Sequence, residues 1–526
     1  MSIVSLSFIG FAMATVLLYY IVPKRFRYLL LLAASIFFYI SNGLKMGIYV
    51  LITAASVYAA ALTMDHMGKK ASAYLAENKS SLTKEQKSAY KRKDKNARKA
   101  VMLCALLLNI GLLCVFKYSH FVIGIVNSVT ARLGIPAINN SFRLLVPLGI
   151  SFYAFQTTGY LVDVYWQNVR AEKNPFKMLL FTSFFPQMTQ GPVSDFSVMS
   201  ARMFEGHAFS YDSFSRGFAR FVWGYAKKVL LANMLINFMK GVFASYSSLA
   251  GITVLFSIFG YAIQIYADFS GYMDIMCGLC EMMGIELTEN FDRPYFAVSV
   301  SDYWRRWHIS IGAWFKKYVY YPAATAGWNR KLAKRFQSKA VRQNLSATLA
   351  LLIVWLATGL WHGASTAYAA WGLFNGLFII LSLWLEPVYA KCLKALRINA
   401  EGKAWHVFRI LRTFVLVAFI KVFPEVGTIS QGFGLWTSVF KNLTRGGFIS
   451  ETLSLIGGKY ELAIIAGMTL LMYIFSLMKS SVPIRERFAK LPLPVRCAVL
   501  AGIFVLVIAF GMSPHSQRGA FMYAQF

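Results

Sequence analysis

Two histidines in this chain have the residue type and surroundings for proton transfer. His308 lies in Ser299–Val300–Ser301–Asp302–Tyr303–Trp304–Arg305–Arg306–Trp307–His308–Ile309–Ser310, and His362 in Gly359–Leu360–Trp361–His362–Gly363–Ala364. Each stands beside tryptophan in a sequence that is otherwise overwhelmingly apolar. An ionisable side chain is expensive inside a bilayer, so it faces a cavity, a pathway or a reaction centre rather than lipid. Imidazole takes up and returns a proton near neutral pH. The pair suits removal of a proton from a hydroxyl attacking an activated acyl carbonyl, with the same imidazole returning it to the leaving group. The competing reading is a core or interfacial histidine satisfied by a backbone carbonyl.

A third polar feature, Asp268–Phe269–Ser270–Gly271–Tyr272–Met273–Asp274, interrupts an apolar run. Arg305, Arg306, Lys316 and Lys317 could hold an anionic donor such as a phosphate-bearing thioester. They serve equally well as cationic anchors at a membrane surface. The sequence has no Gly-x-Ser-x-Gly, His-Glu-x-x-His, phosphate loop or dinucleotide fingerprint, which leaves serine-hydrolase, zinc-protease and nucleotide-binding readings without an anchor. Cys277-x-x-Cys280 lacks a second pair, so packing rather than metal binding is expected, and no metal site is assigned.

The elements that carry these residues are membrane spans. The 526 residues are 57% hydrophobic, 16% aromatic and only 14% charged, with a mean hydropathy of +0.52. Apolar runs long enough to cross a bilayer recur from end to end, which indicates an all-α polytopic membrane protein. A net charge of +32 could suggest nucleic acid. The basic residues, however, gather in short blocks between spans, as in cytoplasmic loops, so no nucleic-acid partner is expected and membrane lipid is.

Spans are expected at 3–22, 28–41, 46–65, 100–126, 144–165, 216–243, 251–283, 344–362, 367–385, 407–424, 461–478 and 496–512. The basic segment 66–100 reads as a cytoplasmic loop and places both termini outside. Residues 176–192, with Phe185–Pro186–Gln187 and Gln190–Gly191–Pro192, read as re-entrant, and Asp268–Asp274 as a break in a helix lining a cavity. Residues 299–322 read as one amphipathic helix carrying His308, dipping into the cytoplasmic side. Residues 344–385 read as a helical hairpin carrying His362. A single transmembrane domain over 1–526 follows, its first apolar segment retained as a span.

The runs Tyr266–Ala267–Asp268–Phe269–Ser270–Gly271–Tyr272–x–Asp274, Glu289–Asn290–Phe291–x–Arg293–Pro294–Tyr295, Trp304–Arg305–Arg306–Trp307–His308–Ile309–Ser310 and Leu360–Trp361–His362–Gly363–Ala364 resemble the membrane-bound O-acyltransferase (MBOAT) family. The similarity is greatest to the bacterial branch containing alginate O-acetyltransferase. Supporting matches are Pro147–Leu148–Gly149–Ile150–Ser151–Phe152–Tyr153, Trp223–Gly224–Tyr225–Ala226–Lys227–Lys228 and Phe521–Met522–Tyr523–Ala524–Gln525–Phe526.

The resemblance implies about 11–12 transmembrane helices, with re-entrant and amphipathic helices, around a central tunnel. His362 matches the family's invariant histidine and His308 its second, so both are expected to be catalytic. Asp268, Ser270, Asp274, Asn290, Arg293, Trp304, Arg305, Arg306 and Trp307 are expected to line the tunnel or hold the donor. The implied co-substrate is an acyl donor such as acetyl-CoA, with no bound cofactor. The implied partners are a polysaccharide acceptor and an extracytoplasmic SGNH-hydrolase-like acetyltransferase, and the implied location is the bacterial inner membrane.

The branch that transfers D-alanine to teichoic acid usually has Ala and Asn where Ser270 and Arg305 stand here, which favours acetylation of an exported or cell-wall polysaccharide. At Lys421–Val422–Phe423–Pro424 the chain departs from its branch, where aromatic residues followed by Arg are usual. A different class of function is a proton-coupled transporter or export component, in which the Asp268 kink carries solute and the histidines relay protons.

Overall fold

The computed structural model describes residues 1–43, 47–141, 147–478 and 484–511. The match at Phe521–Phe526, the first residues of the spans expected at 46–65 and 144–165, and the last residue of that at 496–512 lie outside them. The chain divides into two compact units, 1–210 with 283–287, and 211–282 with 288–526.

In the first unit the basic segment 66–100 is a helical hairpin rather than a loop. The helix Gly47–Glu77 runs through its first part, and Lys84–Thr130, 47 residues long, starts within it. Lys, Ala, Glu and Gln are strong helix formers, so charge alone does not stop a helix here. Thr83 and Gln86 form a reciprocal capping box at the second start. The Arg98–Asp94 pair at 2.9 Å, one helical turn apart, adds to it.

Residues 176–192 form a helix, Pro175–Ser183, and a single turn, Phe185–Met188, followed by a corner. Gln187 closes that corner by donating to Pro192 O at 2.9 Å and Ser194 Oγ at 2.8 Å. Such pairing lets non-helical backbone be buried.

In the second unit the helix Gly251–Met282 runs unbroken through Asp268–Asp274, contrary to the expected break. Its carboxylates are neutralised from the neighbouring helix, so no opening of the backbone is needed. The irregularity falls instead on that neighbour, where Tyr211–Ala226 passes through a π-helical stretch, Lys227–Ala232, into Asn233–Ser245. π-bulges of this kind are frequent at functional sites.

The two helices meet along a glycine seam. A Cβ on Gly224 would lie 2.7 Å from Gly271 O, and one on Gly278 would lie 2.5 Å from Gly217 O. Backbones this close require small residues, as in membrane helix packing.

The segment expected as one amphipathic helix over 299–322 is also different. It folds as Val300–Arg306 and Ile309–Phe315, then a π-helical stretch, Lys316–Tyr320, and a final turn, Tyr321–Thr325. The break falls at Trp307–His308. His362 ends the helix Lys339–His362, and Thr366–Ala395 follows it, so the two helices start before and end beyond the expected 344–385.

Seven helices among the described residues are long and apolar enough to cross a membrane: Gly47–Glu77, Lys84–Leu133, Gly251–Met282, Lys339–His362, Thr366–Ala395, Lys459–Leu477 and Leu493–Gly511. Other expected spans are realised as shorter helices, Leu6–Ile21, Arg27–Ile40 and Ile150–Tyr165, and as Lys403–Lys421. Large apolar side chains are left exposed on these helices, among them Leu107, Leu470 and Val505. Lipid, not water, is the solvent such faces fit.

Candidate active site

His362 is the last residue of its helix, and the turn behind it is sterically fixed. A Cβ on Gly363 would lie 2.1 Å from the Tyr368 ring, and one on Gly372 would lie 2.4 Å from Trp355 O. Ser365 caps the returning helix, its Oγ accepting from Tyr368 N at 3.3 Å. The imidazole is 5% exposed. Its ring stands 4.5 Å from Trp361 and 4.9 Å, edge to face, from Trp371.

His308 is fully buried. Its backbone is left-handed, φ 49° and ψ 51°, a conformation that a non-glycine residue keeps only where its surroundings enforce it. Those surroundings come from the second motif. Phe291 and Trp307 pair as an antiparallel bridge, and Asp292 N donates to Arg306 O at 2.9 Å. Past the histidine, Ile309 N donates to Asn290 O at 3.1 Å and Ser310 N to Asn290 Oδ1 at 3.0 Å. The motifs Glu289–Tyr295 and Trp304–Ser310 therefore form one local structure, which halts the helix and turns His308 inward.

The two histidines, from segments over fifty residues apart, both approach one indole. Trp361 lies 4.5 Å from the His362 ring and 6.0 Å from that of His308. The His308 ring also meets Phe269, at 4.8 Å. Trp304 joins the cluster through Trp371, at 5.6 Å, and its Nε1 donates to Asn375 Oδ1 at 3.0 Å. Burial pushes the His308 imidazole down to about 3, so at neutral pH it holds no charge.

Asp268, Ser270 and Asp274 belong to a separate, charge-balanced chain. Asp268 pairs with Lys228 at 2.5 Å, and Ser270 accepts from Lys227 at 2.9 Å. Asp274 takes Lys227 at 2.6 Å and Arg220 at 2.9 Å. Arg220 continues to Glu289 through two bonds of 2.7 and 2.6 Å. This chain holds the glycine seam together and, through Glu289, anchors the segment that bears Asn290.

Arg306 is engaged by Asp302 at 3.1 Å. Burial opposes charge on Asp302, but Arg306, the Val298 N–H and Arg305 together hold its carboxyl below the usual range. Arg305 reaches the same carboxylate at 3.4 Å, with its side chain 73% exposed.

Arg293 is also left-handed, at φ 45°. It donates to Ser476 O at 3.4 Å and lines a 550 Å³ cavity with Tyr266, Tyr295, Phe414 and Met472. Neither histidine lines that cavity, yet the Tyr266 ring lies only 6.0 Å from that of Trp307.

From the sequence Arg220 goes unmarked, Lys421 stands out only as a departure from the branch pattern, and Lys227 and Lys228 only as a motif match. For the three cations other than Lys421 the signal was present. Arg220, Lys227 and Lys228 recur at seven- and eight-residue spacing, complementary to Asp268 and Asp274 on the next helix.

A profile of the membrane-bound O-acyltransferase family matches residues 167–416. The chain is 34% identical over 316 residues to a probable alginate O-acetylase of Pseudomonas syringae pv. tomato, covering 60% of this chain and 56% of that one. It is 30% identical over 424 residues to a probable alginate O-acetylase of Azotobacter vinelandii, covering 80% and 74%. A peptidoglycan O-acetyltransferase of Helicobacter pylori is 30% identical over 318 residues, covering 56% and 55%. The match takes in less than two thirds of the Pseudomonas and Helicobacter proteins' own length.

Proposed function

Since the chain belongs to the membrane-bound O-acyltransferase family, we propose that it moves an acetyl group from a cytoplasmic thioester such as acetyl-CoA across the membrane, for O-acetylation of an exported or cell-wall polysaccharide. The relatives' substrates, alginate and peptidoglycan, support a polysaccharide as the final acceptor. The observation that carries the reading is the approach of both His308 and His362 to the one Trp361 ring. Two buried imidazoles brought together from distant segments suit proton transfer at one centre.

In the proposed reaction neutral His362 takes the proton of the attacking hydroxyl as its oxygen bonds to the thioester carbonyl carbon. The tetrahedral oxyanion then collapses, the carbon–sulfur bond breaks, and the imidazolium returns the proton to the leaving thiolate. His308 is the second imidazole of the centre, and the exposed Arg305 is the counter-charge for donor phosphates. The immediate acceptor is a carrier or an extracytoplasmic SGNH-hydrolase-like partner that completes transfer to the polymer. The proposed location is the inner membrane of a bacterium.

The test uses donor carrying an isotopic acetyl label and membranes containing the full chain. Wild type passes label to polymer or partner, whereas His362→Ala, present at normal levels, passes none. Retained transfer in that variant would overturn the assignment of the base. Movement of a solute without group transfer would favour a transporter, and a requirement for activated D-alanine would favour the teichoic-acid branch.

A further inference from the structure

Lys421 ends the helix Lys403–Lys421, at the place where the sequence departs from its branch. It is 6% exposed, and a buried ammonium needs a partner to offset its lost hydration. Among the described residues no carboxylate pairs with it. Glu425, four residues on, accepts from the Tyr261 hydroxyl at 2.8 Å instead. The Lys421 Nζ stands over the Trp307 indole, 3.7 Å from its centroid, with the Tyr303 ring at 5.5 Å. A desolvated cation over an indole face is the strongest form of this contact.

Trp307 is joined directly to His308, whose left-handed backbone must be held from both sides. Asn290 holds the far side through Ile309 and Ser310. The near side is the Phe291–Trp307 bridge, and Lys421 covers the ring of that same tryptophan. The flanking Ile420 and Phe423 pack against Trp371, whose ring touches His362. One turn of chain therefore meets the aromatic neighbours of both histidines.

We propose that Lys421 is a positioning residue for His308: its ammonium pins the Trp307 indole, and through the adjoining peptide it fixes the direction of the imidazole. This rests on the reading of His308 as part of the acyl-transfer centre. It accounts for a cation at this site, because a neutral side chain of similar length fills the space but does not bind the ring face. Arg stacks on aromatic faces as well.

The experiment compares Lys421→Met, Lys421→Arg and His308→Ala in the full-length protein in membranes. It measures kcat and KM for acetyl-CoA, together with hydrogen exchange of the amides over 306–312. In Lys421→Met, kcat is expected to fall by about 10²-fold, the scale of a misplaced catalytic group, with KM changed less than about twofold. The Ile309 and Ser310 amides are expected to exchange about tenfold faster.

Lys421→Arg restores both quantities, and Lys421→Met adds nothing to His308→Ala. Unchanged exchange in Lys421→Met, or an Arg variant as impaired as Met in a folded protein, would overturn the proposal. Should the Met variant fail to fold, Lys421→Gln replaces it with the same expectations. Absence of acetyl transfer in wild type would count against the acyltransferase reading, while the exchange measurement would still decide whether Lys421 holds the His308 segment.

Discussion

The Lys228 ammonium meets the Asp268 carboxylate at 2.5 Å, and neither side chain has any exposure. Next to Asp268 in the chain is Phe269, whose ring touches His308. Breaking a buried pair strands a charge, so Lys228→Met should destabilise the protein by about 3–5 kcal/mol. Replacing both partners, Lys228→Met with Asp268→Leu, should recover most of that loss. Thermal unfolding in detergent measures it, and a double variant as unstable as the sum of the singles would contradict the pairing.

Asn290 is expected to act through the backbone it holds. In Asn290→Ala the buried Ser310 N–H loses its 3.0 Å acceptor, a change worth about 1–3 kcal/mol. Acyl transfer should fall through kcat, with donor KM little altered, because His308 loses support and not a substrate contact. Asn290→Asp keeps an oxygen in place and should recover part of the rate. Equal activity of the Ala variant and wild type would remove Asn290 from the site.

The glycine seam gives a paired prediction. A Cβ at Gly278 would sit 2.5 Å from Gly217 O, whereas one at Gly111 meets nothing within 4 Å. Gly278→Ala should cost about 1–3 kcal/mol by forcing the helices apart and should weaken the Arg220–Asp274 contact across the same interface. Gly111→Ala should stabilise by about 0.5–1 kcal/mol through backbone entropy alone. Melting temperatures that shift in the same direction for both would rule out the close approach.

The sequence disclosed the helices well because apolar runs of this length have few alternatives in lipid, and His308 and His362 stood out as titratable groups among aromatic residues. It was misleading where a polar residue has a partner distant in sequence. Asp268 and Asp274 looked like a helix break, but Lys227, Lys228 and Arg220 satisfy them from another helix. The apolar spacing from Trp304 to Tyr318 matched one continuous helix, and that periodicity carries no trace of the Phe291–Trp307 bridge that interrupts it. Lys421 looked like a loss of pattern, since a cation over a distant indole leaves no local signature.

The neutral state of His308 sets a pH dependence whose sign follows from its burial. The residue lies between the short helices Val300–Arg306 and Ile309–Phe315, outside the seven long apolar ones. Its imidazole is pushed down to about 3 by burial, from an ordinary 6.5. Above pH 6.5 the ring is neutral in both folded and unfolded chains, and it then contributes no pH dependence. As pH falls below that value the unfolded chain takes up a proton that the folded site refuses, so stability drops. His308→Phe, which keeps an aromatic ring against Phe269, removes this contribution. Its melting temperature should therefore decline less steeply than that of wild type between about pH 6.5 and pH 4, and parallel declines would show that His308 is charged or solvated in the folded protein.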